Sequence, residues 1–209
     1  MNDNIIERNE KLAKKIIKCL ESRNITGYYA PNAEQAKKLA LSLIPKGSKV
    51  TNGGVMSAHE IGLISALQEG DYDYVDRDTA EDKQAAALAA YTADFFLTSA
   101  NAITEDGIII NIDGNSNRIS AIAFGPKKVI FIVGMNKVAR DEAAAMSRAR
   151  NVAAPINAQR FGLNTPCAKT GSCADCLSPD TICCNFMTTR YSRHADRMHV
   201  ILVGESLGF

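Results

Sequence analysis

The first third of the chain alternates short runs of β-branched and aromatic residues with segments of helical periodicity, and that alternation leaves few folds open. Residues 5–21 set Ile5, Leu12, Ala13, Ile16, Ile17 and Leu20 along one helical face, with Lys and Glu opposite. Cys19 closes that segment and reads as a lone buried or half-buried thiol. Residues 25–30 and 49–51 read as strands. Between them a helix starts at the capping residue Asn32, turns Ala40, Leu41 and Leu43 inward and stops at Pro45. A helix over 57–68, a strand over 72–76 and an alanine-rich helix over 79–92 continue the pattern. Such alternation builds a parallel sheet with helices on both faces. The pattern then changes: 95–98, 107–113, 119–124 and 128–134 are strand candidates with little helix between them, which predicts added antiparallel strands. A long helix over 139–151 is ended or kinked by Pro155, and 198–203 is a closing apolar strand. The expected fold class is α/β, with an open, mainly parallel sheet, in one domain over residues 1–209.

Charge and hydropathy remove several functions. A net charge of +1 gives no global field for nucleic acid or an anionic membrane. Arg190, Arg193 and Arg197 do not form a basic block interleaved with aromatics. The first residues carry no apolar core of signal-peptide length, and no apolar run approaches the roughly 20 residues of a membrane helix. The expectation is a cytoplasmic protein with no nucleic-acid or membrane partner.

Chemistry concentrates in the cysteines. Cys167, Cys173, Cys176, Cys183 and Cys184 account for five of the six, all within 162–190, a stretch that reads as a metal-binding extension. In a reducing compartment clustered cysteines favour metal or redox roles over structural disulfides. The two-residue spacing of Cys173 and Cys176 lets two thiolates face one metal, and Cys167 with Cys183 or Cys184 completes a set of four. Four sulfurs suit a [4Fe–4S] cluster or a structural zinc; free thiols or a disulfide hairpin are the non-metal alternative.

Three loops follow strand candidates, where open α/β sheets bind ligands. The turn Thr51-Asn-Gly-Gly-Val-Met-Ser57 offers Gly53 and Gly54 for close backbone approach; read as a plain turn, it has Ser57 as a helix cap. It matches neither a P-loop nor a dinucleotide fingerprint. Asn101 and Glu105 lie in the second loop, and Lys137 in Gly-Met-Asn-Lys is an anion partner or a solvated lysine. The polar run Asp113-Gly-Asn-Ser-Asn-Arg118 is longer than a tight hairpin needs; Asp113, Asn117 and Arg118 are ligand-binding candidates, Arg118 as an anion clamp. His59 sits on the first turn of the helix after Gly54, a surface or capping position.

Together the segments 51–63, 98–107, 112–118, 124–130, 134–137, 153–158 and 166–176 resemble the lactate-utilisation (LUD) domain family, over about residues 5–209. The resemblance implies a fold similar to ribose-5-phosphate isomerase, glucosamine-6-phosphate deaminase and the CoA transferases, in which a glycine-rich strand-to-helix turn binds the substrate's anionic part. It also implies a short, stand-alone member with a C-terminal cysteine motif. The leading functional expectation is a protein that binds a small anionic metabolite and a cysteine-ligated centre, [4Fe–4S] rather than zinc, in organic-acid redox metabolism with a redox partner protein. One alternative is an isomerase- or CoA-transferase-like enzyme with zinc or no metal and Glu60 or Glu105 as general base. Another is a non-catalytic subunit or sensor. The oligomeric state, a homo-oligomer included, is left open.

Overall fold

A computed structural model describes residues 2–77 and 79–209. In chain order its strands are β1 (Thr26–Ala30), β2 (Lys49–Asn52), β3 (Asp73–Val75), β4 (Phe95–Thr98), β5 (Ala102–Thr104), β6 (Ile109–Asp113), β7 (Lys128–Gly134), β8 (Val138–Ala139), β9 (Asn185–Thr189) and β10 (Met198–Val203). Its helices are α1 (Asp3–Ser22), α2 (Ala33–Leu43), α3 (Met56–Glu60), α4 (Leu63–Glu69), α5 (Lys83–Ala89), α6 (Asn117–Ala123), α7 (Glu142–Arg148), α8 (Ala154–Arg160) and α9 (Pro166–Thr170).

The expected α/β architecture is present. Six parallel strands lie in the order β1-β10-β7-β4-β2-β3. The middle strands are apolar on both faces, as buried parallel strands are. From β7 and β10, Val129, Phe131, Val133, Val200 and Leu202 pack with Ile16 and Leu20 of α1 on one side. Ile130, Ile132, Ile201 and Val203 pack with Ala36 of α2 and Leu63 and Leu67 of α4 on the other. A second, mixed sheet, β8-β5-β6-β9, holds the antiparallel pairs β5–β6 and β6–β9, and α7 covers it through Ala145. Of the segments expected to add antiparallel strands only 107–113 lies here, while 95–98 and 128–134 run parallel inside the large sheet.

Several elements differ from the sequence expectation. Residues 119–123 lie in helix α6, and Phe124 is its extended cap, so the expected strand is absent there. The Asp113 carboxylate accepts from the backbone N–H groups of Asn115, Ser116, Arg118 and Ile119, which winds the chain before the apolar alternation can pair as a strand. Ser116, at φ 63°, makes the turn into the helix. The helix expected over 57–68 breaks at Gly62, which is left-handed at φ 70°. It also begins one residue early, so Ser57 lies within α3 and caps nothing. Pro155 does not end the long helix: a wide π turn over Ala149–Ala153 precedes it, and Pro155 occupies the first turn of α8, where a missing N–H costs little. Ile5 is 49% exposed; the inner face of α1 instead includes Asn9, whose amide donates to the Gly204 carbonyl at 3.1 Å.

At the end of β2, a Cβ on Gly53 would fall 2.4 Å from Cζ of the buried Phe96 ring and 3.2 Å from Cγ of Arg118. Gly53→Ala is therefore expected to cost about 1–3 kcal/mol through overpacking. Chemical denaturation would read this as a lowered midpoint at unchanged m-value; an unchanged midpoint would leave Gly53 without that packing role.

Candidate functional site

The parallel strands β2, β4 and β7 end side by side, and the residues just past those ends line a cleft of about 150 Å³. Gly54, Ser99, Asn101 and Lys137 come from the strand exits. Asp113 comes from the end of β6, Asn117 and Arg118 from the first turn of α6, and Asn157, Arg160 and Phe161 from the end of α8. This is the place where open α/β sheets hold ligands. The volume is below the roughly 300–1,000 Å³ typical of drug-sized ligands and suits a smaller one.

Among the described residues the lining is mostly cationic: Arg77, Arg118, Lys137 and Arg160 stand with one acidic residue, Asp113. Arg118 is held rather than mobile. Its guanidinium donates to the Asn101 side-chain oxygen at 3.1 Å and the Ile112 carbonyl at 2.5 Å, and stands 3.7 Å from the Asp113 carboxylate. Gly54, at φ 52°, has open space where a Cβ would point.

At the floor of the cleft lies Lys137, only 3% exposed. Its Nζ donates to Ser99 Oγ at 3.0 Å and to Ser57 Oγ at 3.2 Å. Ser99 in turn donates to the Ile132 carbonyl at 2.6 Å, tying the amine to the backbone of the central strand. Among the described residues no carboxylate stands within ion-pair distance of Lys137. Burial, reinforced by the cationic Arg148 and Arg118, pushes its pKa down from the ordinary 10.5 to about 7, with Glu60 opposing weakly. Gly208 roofs the pair: a Cβ there would lie 3.0 Å from Ser57 Oγ and 3.1 Å from Lys137 Nζ. The roof is anchored where the Gly208 N–H donates to Glu60 at 2.7 Å and the Leu207 N–H to the Asn136 side chain at 3.1 Å.

Most of the ligand-binding candidates thus converge. Gly54, Asn101, Asp113, Asn117, Arg118 and Lys137 line the cleft. Ser57 does so indirectly, as a partner of Lys137. Gly53 faces Phe96 and Arg118 instead. The two glutamates do not converge: Glu105 pairs with Lys15 of α1 at 2.7 Å, away from the cleft, and Glu60 anchors the roof outside it. His59 is exposed and outside the lining. Arg77, Asn157, Arg160 and Phe161 were not expected. The α8 residues follow Pro155, read as a helix end, so no signal placed them at the strand ends.

The cysteine extension abuts the same cleft. Gly114 packs on the backbone of Ile182, which lines the cleft one residue before Cys183. Strand β9 follows and pairs with β6, setting Asn185 opposite Asp113. Cys183 is half-buried against the core of the second sheet. Burial pushes its thiol up to about 11, and the nearby Cys167, Cys173 and Cys176 add to the rise. Cys184 is exposed, its thiol 3.5 Å from the Thr181 carbonyl. Among the described residues no three His, Cys, Asp or Glu side chains gather closely enough to share one ion.

The depressed lysine has a stability consequence. In the unfolded chain Lys137 holds its proton up to about pH 10.5, whereas in the folded protein it releases it near 7. Between those values the unfolded state binds more protons, so raising the pH favours folding, on the order of 1 kcal/mol per unit. Below pH 7 the whole cost of burying the charge is present. Lys137→Met is therefore expected to be stabilising at pH 7, with an advantage that shrinks toward pH 10. Paired denaturation curves across that window check this; a difference that does not vary with pH contradicts it.

Comparison with known proteins agrees with this architecture. A crystal structure of a DUF162 family protein from Deinococcus radiodurans superposes with a TM-score of 0.51 at 13% sequence identity, covering 93% of this chain and 98% of that one. No curated protein matches the sequence. Among the described residues no helix is long and apolar enough to cross a membrane. The LUD domain profile matches residues 13–203, and the chain belongs to the LUD domain family.

Proposed function

We propose that this LUD-domain protein binds a small anionic metabolite in the cationic cleft, beside a four-cysteine centre, and serves organic-acid redox metabolism of the kind the family name indicates. The observation that carries the reading is the shared wall: Ile182 belongs both to the cleft and to the loop that delivers Cys183. Fixed guanidinium donors at Arg118, with Arg160 and Arg77 on the rim, supply paired, charge-assisted hydrogen bonds for a carboxylate or phosphate. The dominance of positive lining draws such an anion in.

For the centre, the donor chemistry fits. Cys167, Cys173, Cys176 and Cys183 are near enough for each of the first three to act on the Cys183 thiol. Four thiolates are a donor set that zinc and iron–sulfur clusters both accept. A [4Fe–4S] cluster takes one cysteine at each of four irons, which matches the four-cysteine set by donor type and number. When bound, it would supply one-electron transfer, with a partner protein as the other redox site. The chain's own part is to hold the anion at Arg118, orient it against the Ile182 wall and keep the amine of Lys137 at the floor. The isomerase-like alternative loses support because neither Glu60 nor Glu105 reaches the cleft.

Anaerobic purification with iron and sulfide analysis tests the centre. Wild type and Cys184→Ser are expected to load iron and absorb near 400 nm, and Cys183→Ser to lose most of both. Colourless, iron-free wild type, or equal loss in both variants, would reject this ligand set.

Thermal-shift titration with lactate, pyruvate and phosphate tests the cleft independently. Arg118→Gln is expected to weaken binding about tenfold or more, the loss of one charge-assisted hydrogen bond. Unchanged binding in that variant, or no anion bound by wild type, counts against the cleft.

A further inference from the structure

Resting on the cleft as an anion site, we infer that Lys137 is a nucleophilic amine that condenses with the carbonyl carbon of a small oxo acid, forming an imine. The hydrogen bonds assign the roles. The hydroxyl proton of Ser99 is committed to the Ile132 carbonyl, so Ser99 Oγ accepts from Lys137 and does not hand it a proton. Ser57 is fully buried and outside the cleft lining. Neither serine is therefore placed as a lysine-activated nucleophile; both are positioning residues. A neutral amine has two N–H bonds and one lone pair. Because Ser99 gives its proton to Ile132, the Ser57 hydroxyl 3.4 Å from Ser99 Oγ donates to that oxygen, so both serine oxygens accept from Nζ and the lone pair is left for the cleft that Lys137 lines.

Its surroundings favour that neutral form. Among the described residues no acidic side chain stands within ion-pair distance, and the guanidinium of Arg148 is tied nearby to the carbonyls of Asn136, at 3.0 Å, and Asn101. A desolvated lysine next to other cations is the usual way an amine is made nucleophilic near neutral pH. With a pKa of about 7, half of Lys137 is neutral at pH 7. An exposed lysine of ordinary pKa is neutral only to about one part in a few thousand, so the advantage is on the order of a thousandfold. The oxo acid is the ligand class that meets both halves of the cleft: its carboxylate pairs with the guanidinium groups and its carbonyl meets the amine.

The step balances without an added oxidant or reductant. The Nζ lone pair adds to the carbonyl carbon, and a proton passes from nitrogen to the carbonyl oxygen, giving a carbinolamine. Loss of one water then forms the C=N bond. No electrons change hands between molecules.

Borohydride trapping of the full-length wild-type protein tests this, with pyruvate and with glyoxylate as probes, read by intact mass and peptide mapping. The expected result is one secondary-amine adduct on the peptide carrying Lys137, with half-maximal trapping rate near pH 7. Excess lactate, which shares the carboxylate but lacks the carbonyl, should suppress it. Lys137→Met should lower total labelling to that of surface lysines. No adduct, or adducts spread over exposed lysines at equal rates in wild type and Lys137→Met, overturns the inference. Lactate or phosphate binding that persists without an adduct sinks the imine and leaves the anion cleft standing; failure of both binding and trapping removes the two together.

Discussion

Strand β7 carries two cores at once, and the rest of the molecule is arranged around that commitment. Its residues alternate between two packed layers, Phe131 on one side and Ile130 and Ile132 on the other, with β4 and β10 paired along its edges. A one-residue slip would send every one of those side chains into the wrong layer. The register is therefore fixed by packing, and the positions beyond it follow. The Ile132 carbonyl meets Ser99 from the neighbouring strand exit, and Lys137 emerges beneath the cleft. The site needs no flexible loop to find its geometry.

The sequence disclosed what rests on strong local signals. The apolar runs of β7 and β10, the strand–helix alternation of the first third and the Asn32 cap were all readable, and Asn32 accepts from Gln35 as expected. Lys137, Arg118 and Asp113 were readable as candidates because each follows a strand. What was not readable depended on partners far away in the chain. The apolar run at 119–124 is compatible with strand or helix, and only the capture of four N–H groups by Asp113 decides it. Pro155 was readable as an end or a kink of the long helix, but it sits in the first turn of α8, after the π turn, and the helix continues to Arg160 at the cleft. Glu105 looked like a general base because it follows a strand, yet α1 brings Lys15 to it. Cys183 and Cys184 are indistinguishable by spacing; packing against the apolar core of the second sheet half-buries one and leaves the other in solvent.

Several local choices run against stability. A lysine is buried without an acid, next to two guanidinium groups, and held by hydroxyls that offer no charge in return. The side-chain oxygen of Asn111, one strand position from Ile112, is buried without a hydrogen-bond partner among the described residues. Folded proteins tolerate such choices mainly at sites of function, where other regions supply the stability. Here the doubly covered sheet is that other region.

The roof over Lys137 is main chain. Gly208 contributes no side chain, and its backbone follows β10, an interior strand paired on both edges. A rotamer change opens a side-chain lid in nanoseconds, whereas this cover moves only if residues 205–208 move together with their anchors at Asn136 and Glu60. A ligand reaching the nitrogen therefore comes from the cleft that Lys137 lines and not through the Gly208 roof. Cover of this kind makes one side of the amine a fixed feature of the main chain, set by the same strand order that builds the sheet.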